Sequence, residues 1–231
     1  MLRPIVLALT VCTGFTGLAY EIAWQKYLAI LLGAHSEATA TVLGLFLGGL
    51  SLGYWLFGAL TRALVARGRR QVPRSEPKAS EDQQGGQPAP LLLVYGAVEA
   101  GIGVYCLLFP AIFPLVRSAS ARLPTGEGAF AFAVDTALAA VLIVPPATLM
   151  GGTIPILTQA LARSLADATR VHALIYGWNT AGAFAGALAA GFFLIEWLGL
   201  DGVQRAMGLV NISAGIVFAL LGVQRREVVE L

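Results

Sequence analysis

Three carboxylic acids, Glu21, Glu99 and Asp135, stand inside long apolar runs of this sequence. A charge at membrane depth is costly, and acids kept there face a cavity or one another and mark cation or proton sites. Two carboxylates replace the lost hydration of an amine cation with charge-assisted hydrogen bonds, about twice as strong as neutral ones. Glu21 is expected to hold such a cation with Asp135 as the second carboxylate. Glu99, Asn179 and Tyr176 complete the expected ligand-binding set. No catalytic constellation, metal-ligand spacing or cofactor motif is evident, and no nucleic-acid partner is suggested.

Helical spacing shows how these residues would be aimed. Positions i, i+3, i+4 and i+7 share a helix face. Thr10, Thr13, Gly14, Gly17 and Glu21 follow that rule, so Glu21 continues a small-residue face and is expected to point into a bundle. Lys26 lies five positions on, roughly 140° around the helix, and is a poor partner for it. Lys26 is expected to snorkel at the boundary. Tyr20, Trp24 and Tyr27 form a separate aromatic face near that boundary, where an aromatic belt would sit. Glu99 shares a face with Gly96 and Gly103, and Asn179 with Gly182 and Gly186. Gly44-x-x-x-Gly48 and Gly49-x-x-x-Gly53 are two close-packing signals in one segment. Glu196 and Asn211 are further polar residues in apolar surroundings. The outer half of the bundle is expected to gather Glu21, Asp135 and Glu196 against Lys26.

The elements that carry these residues are membrane spans. The 231 residues are 57% hydrophobic and 12% charged, against about 25% charged in soluble domains. The fold class is therefore all-α, a polytopic bundle of about six transmembrane helices forming one domain over 1–231. About 20 apolar residues cross a bilayer. Spans are expected at about 4–32, 38–61, 91–116, 128–161, 173–198 and 205–223. The first run exceeds a secretory signal core and no clear cleavage site follows, so it is expected to remain as a span. Cys12 and Cys106 lie in apolar segments and read as small buried hydrophobes, with no disulfide framework.

Basic residues orient the bundle. Arg3, Arg62, Arg67, Arg69, Arg70, Arg74, Lys78, Arg163, Arg170, Arg225 and Arg226 fall on one side; Arg117, Arg122 and Arg205 fall on the other. The positive-inside rule places both termini in the cytoplasm, in a cell inner membrane. The segment at about 67–90, rich in Pro, Gly and Gln, is expected to be a disordered cytoplasmic loop. Its basic start could touch anionic lipid. In the fourth span Pro145, Pro146 and Pro155 remove helix donors and Gly151–Gly152 loosen the backbone, so a kink or a break is expected.

The stretches GFTGLAYEIAWQKYLAILLG and TVLGLFLGGLSLGYWLFGAL resemble the first two membrane helices of the membrane-bound spermidine synthase-like (polyamine aminopropyltransferase) family, through Tyr20, Glu21 and Trp24. LMGGTIPILTQAL is similar to that family's Met-Gly-x-Thr-x-Pro element through Met150, Gly151, Thr153 and Pro155. Tyr176, Asn179, Thr180, Gly182 and Ala183 resemble a third motif. The helix composition is also remotely similar to half of a major facilitator fold, with GALTRALVARGRR a degenerate match to its loop motif. The resemblance implies a cytoplasmic Rossmann-like catalytic domain, and this chain contains no strand, Gly-rich turn and helix unit of that kind. The expectation is a membrane module that is not catalytic alone. It would bind a cationic metabolite such as a polyamine, or anchor a separate soluble aminopropyltransferase-like partner. Two alternatives are a small transporter acting as a homodimer and a structural assembly subunit.

Overall fold

The computed structural model describes residues 2–33, 35–70, 89–123, 128–162 and 164–230. The described residues are almost wholly helical, with no strand among them. The helices are α1 (Leu2–Leu32), α2 (Ser36–Arg70), α3 (Ala89–Arg122), α4 (Ala129–Leu161), α5 (Leu165–Ala189) and α6 (Ile195–Glu230). A π-helical turn, Ala190–Leu194, joins α5 to α6. Five stretches are long and apolar enough to cross a membrane: Pro4–Leu32, Ser36–Leu64, Leu91–Arg122, Ala129–Leu161 and Asp167–Gln224. A multi-pass membrane protein follows. The fifth stretch has 58 residues. It is interrupted at Gly199, whose φ of 68° and ψ of 173° are not helical. A positive φ of that kind favours glycine, which lacks the Cβ that would clash.

Several boundaries differ from the sequence expectation. The segment at 67–90 is helical at both ends, since α2 runs on to Arg70 and α3 starts at Ala89. Residues 71–88 lie outside the described residues. Ala63, Leu64, Ala66 and Arg67 are good helix formers, and they extend α2 beyond its apolar part. The fifth helix starts before 173, because Ser164 caps it by accepting a hydrogen bond from the Asp167 amide at 3.1 Å.

α4 is not broken. It runs unbroken through Pro145, Pro146 and Pro155. Pro146 cannot donate to the Leu142 carbonyl four residues back. The Tyr105 hydroxyl of α3 donates to that carbonyl instead, at 2.6 Å. An outside donor thus repairs the ladder where the sequence removes one.

Small residues fix the helix pairs, and each pair meets backbone to backbone. In α1 and α5, Gly14 abuts the Asn179 backbone, and Gly182 and Gly186 abut the backbone of Val11 and Phe15. In α2 and α4, Gly49 meets Ala147, and Gly53 and Gly151 meet the backbone of Thr148 and Leu50. In α3 and α6, Gly96 faces Gly215, and Gly103 faces Gly208. A Cβ at these positions would collide with main-chain atoms, or at Gly49 with the Ala147 Cβ. Gly44 and Gly48 differ: both are exposed, with open space beside them. They lie roughly 140° around α2 from Gly49 and Gly53, so one packing face excludes the other.

The aromatic face of α1 also differs from expectation. Tyr20, Trp24 and Tyr27 are buried and do not form a belt. Trp24 stacks on Tyr20 and packs on Phe46 and Phe109, and Tyr27 packs on Phe109 and Phe113. Their large apolar surface forms the core between α1, α2 and α3. Lys26 is exposed, as a snorkelling lysine would be. Cys106 is buried, whereas Cys12 is exposed on the outer surface of α1; both are free.

Candidate functional site

The three tight pairs do not close on one another completely. α1 with α5 forms one wall and α2 with α4 the opposite wall, while α3 and α6 lie behind. α2 and α5 barely meet. Between the walls lies a cavity of about 370 Å³. Tyr54 of α2 and Tyr176 of α5, both about half exposed, stand at its mouth. Thr13, Glu99, Ile102 and Asn211 line its deep end. Gly17 borders it with nothing beside its Cα, so absence of a side chain keeps the space open.

Glu99 is the charge-bearing group of this cavity. It is 1% exposed. Asn211 Nδ2 of α6 donates to Glu99 Oε2 at 2.8 Å. Tyr95 and Thr13 flank the carboxyl, and their hydroxyls lie 3.4 Å apart. Among the described residues no lysine or arginine pairs with Glu99. Asn211 Oδ1 is buried and has no hydrogen-bond partner. A carboxylate with no cationic partner among the described residues and an amide oxygen with no donor thus face the cavity. Burying such groups unmatched costs several kcal/mol, roughly, and the cost falls when a cation or proton arrives.

Segments of α4 and α5 form much of the wall. Met150, Gly151, Thr153 and Ile154 of α4 line the cavity, as do Tyr176, Asn179, Thr180 and Ala183 of α5. Pro155 has no N–H, so the Gly151 carbonyl loses its usual helical donor. Tyr20 and Trp24 do not line the cavity; they belong to the aromatic core beside it.

Three of the five expected ligand residues, Glu99, Asn179 and Tyr176, therefore share one cavity. Glu21 and Asp135 do not line it. Glu21 is buried and accepts a long 3.4 Å hydrogen bond from Gln25 on its own helix. Asp135 is half-buried and accepts from the Ser120 hydroxyl of α3 at 2.5 Å. Glu21 is thus engaged within α1 and Asp135 by α3, and the two do not share a site. Glu196 is exposed, and the expected gathering of outer acids against Lys26 is not seen. The described end of the bundle instead joins Tyr27 to Asp201, whose carboxylate accepts from the tyrosine hydroxyl.

Sequence reading gave no role to Thr13 or Tyr54 in lining the cavity, or to Asn211 as the partner of Glu99. It also passed over Gln204, which is fully buried on α6 with neither amide atom hydrogen-bonded. An amide seven residues from Asn211 in an apolar helix was the available signal. Among the described residues, no three His, Cys, Asp or Glu side chains gather as a metal site. No protein-family model, curated protein or solved structure matches the chain.

Proposed function

We propose that this chain is a six-crossing membrane module whose central cavity binds an ammonium-bearing small molecule, with Glu99 as the counter-charge. The observation that carries this reading is a 1% exposed carboxylate on a cavity wall with no lysine or arginine paired to it among the described residues. An ammonium group would accept the geometry available there: the Glu99 carboxylate, the unpartnered Asn211 carbonyl oxygen and the Asn179 side chain. Tyr54 and Tyr176 at the mouth offer ring faces to a cation. Polyamines are the candidate class, on the strength of the resemblance carried by Met150, Gly151, Thr153, Pro155, Tyr176 and Asn179.

The sixth crossing comes from dividing the last apolar stretch at Gly199. At about 1.5 Å per residue its 58 residues would far exceed a hydrocarbon core of about 30 Å. A reversal at Gly199 gives two crossings and returns the chain to the side where the basic residues concentrate. Both termini are then cytoplasmic.

Thermal unfolding in detergent tests the ligand class. A ligand that binds only the folded state stabilises it by about 2.7 kcal/mol at 100 times its Kd. Putrescine or spermidine is expected to raise the melting temperature in a saturable way. Equal effects from sodium chloride at matched ionic strength would contradict specific binding.

A further inference from the structure

A second cavity of about 270 Å³ adjoins the first and carries the opposite charge. Tyr54 lines both. The second cavity lies beside the later half of α2, the end of α4 and the start of α5, and its polar side chains include Arg62, His172, Thr158 and Gln159. None of its described lining residues is acidic. Arg62 is exposed and has no carboxylate partner among the described residues. Its guanidinium folds back beside Gly58, with Nη1 3.7 Å from where a Cβ there would stand.

His172 is held in place. Its Nδ1 lies 3.2 Å from the buried Thr158 hydroxyl. Its ring stacks on Tyr176 and meets the Tyr54 edge. In the tautomer where Thr158 donates to Nδ1, Nε2 carries the proton and is the free donor. Thr61 contributes nothing to a ligand, because its hydroxyl donates to the Phe57 carbonyl at 2.8 Å. The available groups are a guanidinium fork, an imidazole N–H and the Gln159 amide. Each offers N–H donors, the Gln159 amide through its NH2 group, and they come from three helices.

We propose that this cavity is a binding site for a phosphate-type oxyanion. A guanidinium presents paired N–H groups that match phosphate oxygens. The imidazole and amide serve further oxygens of a tetrahedral group. Trp55 and Pro155 supply an apolar wall for whatever the phosphate is attached to. Arg62 lies close to the end of the apolar stretch Ser36–Leu64, and a crossing by that stretch would leave it near lipid headgroups. The phosphate could therefore come from an anionic lipid or from a soluble phosphate compound. The site is independent of the ammonium site, since it shares Tyr54 but neither Glu99 nor Asn211.

The test is isothermal titration of the purified chain in a neutral maltoside detergent. The probes are inorganic phosphate, dihexanoyl phosphatidylglycerol and, as a phosphate-free control, dihexanoylglycerol. Saturable binding of at least one phosphate probe is expected. Arg62→Gln and His172→Phe should each weaken it by about tenfold or more, the effect of one charge-assisted hydrogen bond. The exposed Arg62 makes substitution there safe for the fold, and gel filtration verifies this. Glu99→Gln should leave phosphate binding unchanged, which separates this proposal from the ammonium reading. Binding of inorganic phosphate assigns the site to soluble ligands, and binding of the lipid alone assigns it to a headgroup. The proposal is overturned if neither phosphate probe binds saturably, if either variant binds like the parent, or if dihexanoylglycerol binds as well.

Discussion

Asn211 of α6 donates to Glu99 of α3 at 2.8 Å, across a helix pair that meets backbone to backbone. That bond fixes one carboxylate oxygen at the deep end of the central cavity. It also turns the amide oxygen of Asn211 into a buried acceptor without a donor. The pairing needs the close approach of Gly96 to Gly215 and of Gly103 to Gly208. Packing and chemistry therefore depend on the same helix seam.

The glycine seams separate structural from neutral positions. A Cβ at Gly182 would run into the Val11 carbonyl, whereas one at Gly48 meets nothing. Gly182→Ala is expected to destabilise the fold by about 1–3 kcal/mol, the usual cost of overpacking. Gly48→Ala should be neutral or stabilising by up to about 1 kcal/mol. Thermal unfolding of both variants in detergent checks the contrast. Equal melting temperatures would contradict the assigned seam.

The Tyr105–Leu142 bond makes a second structural prediction. Tyr105→Phe should cost about 1–3 kcal/mol, since the carbonyl freed by Pro146 loses its donor. In Pro146→Ala the helix supplies its own N–H, and the same Tyr105→Phe change should cost much less. A double-mutant cycle on unfolding free energies measures the coupling. Additive effects would show that Tyr105 does not repair the helix.

Crossing number is tested by reporter fusions. Fusions after Gly86 and after Gly199 should report opposite sides of the membrane, cytoplasmic for Gly86 and external for Gly199. Fluorescent-protein activity at the first and phosphatase activity at the second is the expected pattern. The same side at both positions would contradict six crossings.

Much of this architecture is legible in the sequence because lipid imposes long apolar helices. The face rule correctly placed Gly96, Glu99 and Gly103 on a packed side and grouped Asn179 with Gly182 and Gly186. It did not show which helix each face meets. Periodicity names a face, not its neighbour, and helices apolar all round give weak periodicity. Asn211 could therefore be seen as buried without being seen as the partner of Glu99. The same blindness put Tyr20 and Trp24 at a membrane boundary. An aromatic residue near a span end reads alike whether it faces lipid or core. The prolines of α4 left a break open beside a kink for a related reason, because Tyr105 lies 37 positions away from the carbonyl it serves.

Glu99→Gln is the variant that tests the central claim most directly. Glutamine keeps the shape and still accepts from Asn211, but it removes the charge. Isothermal titration of putrescine and spermidine into the parent, Glu99→Gln and Glu21→Gln proteins is the decisive measurement. The parent should bind at least one amine saturably. Glu99→Gln should elute like the parent on gel filtration and lose about 1–3 kcal/mol of amine binding, the worth of one charged hydrogen-bond partner. Glu21→Gln, whose parent residue does not line the cavity, should bind like the parent. Absence of amine binding in the parent, or undiminished binding in Glu99→Gln, would contradict the account.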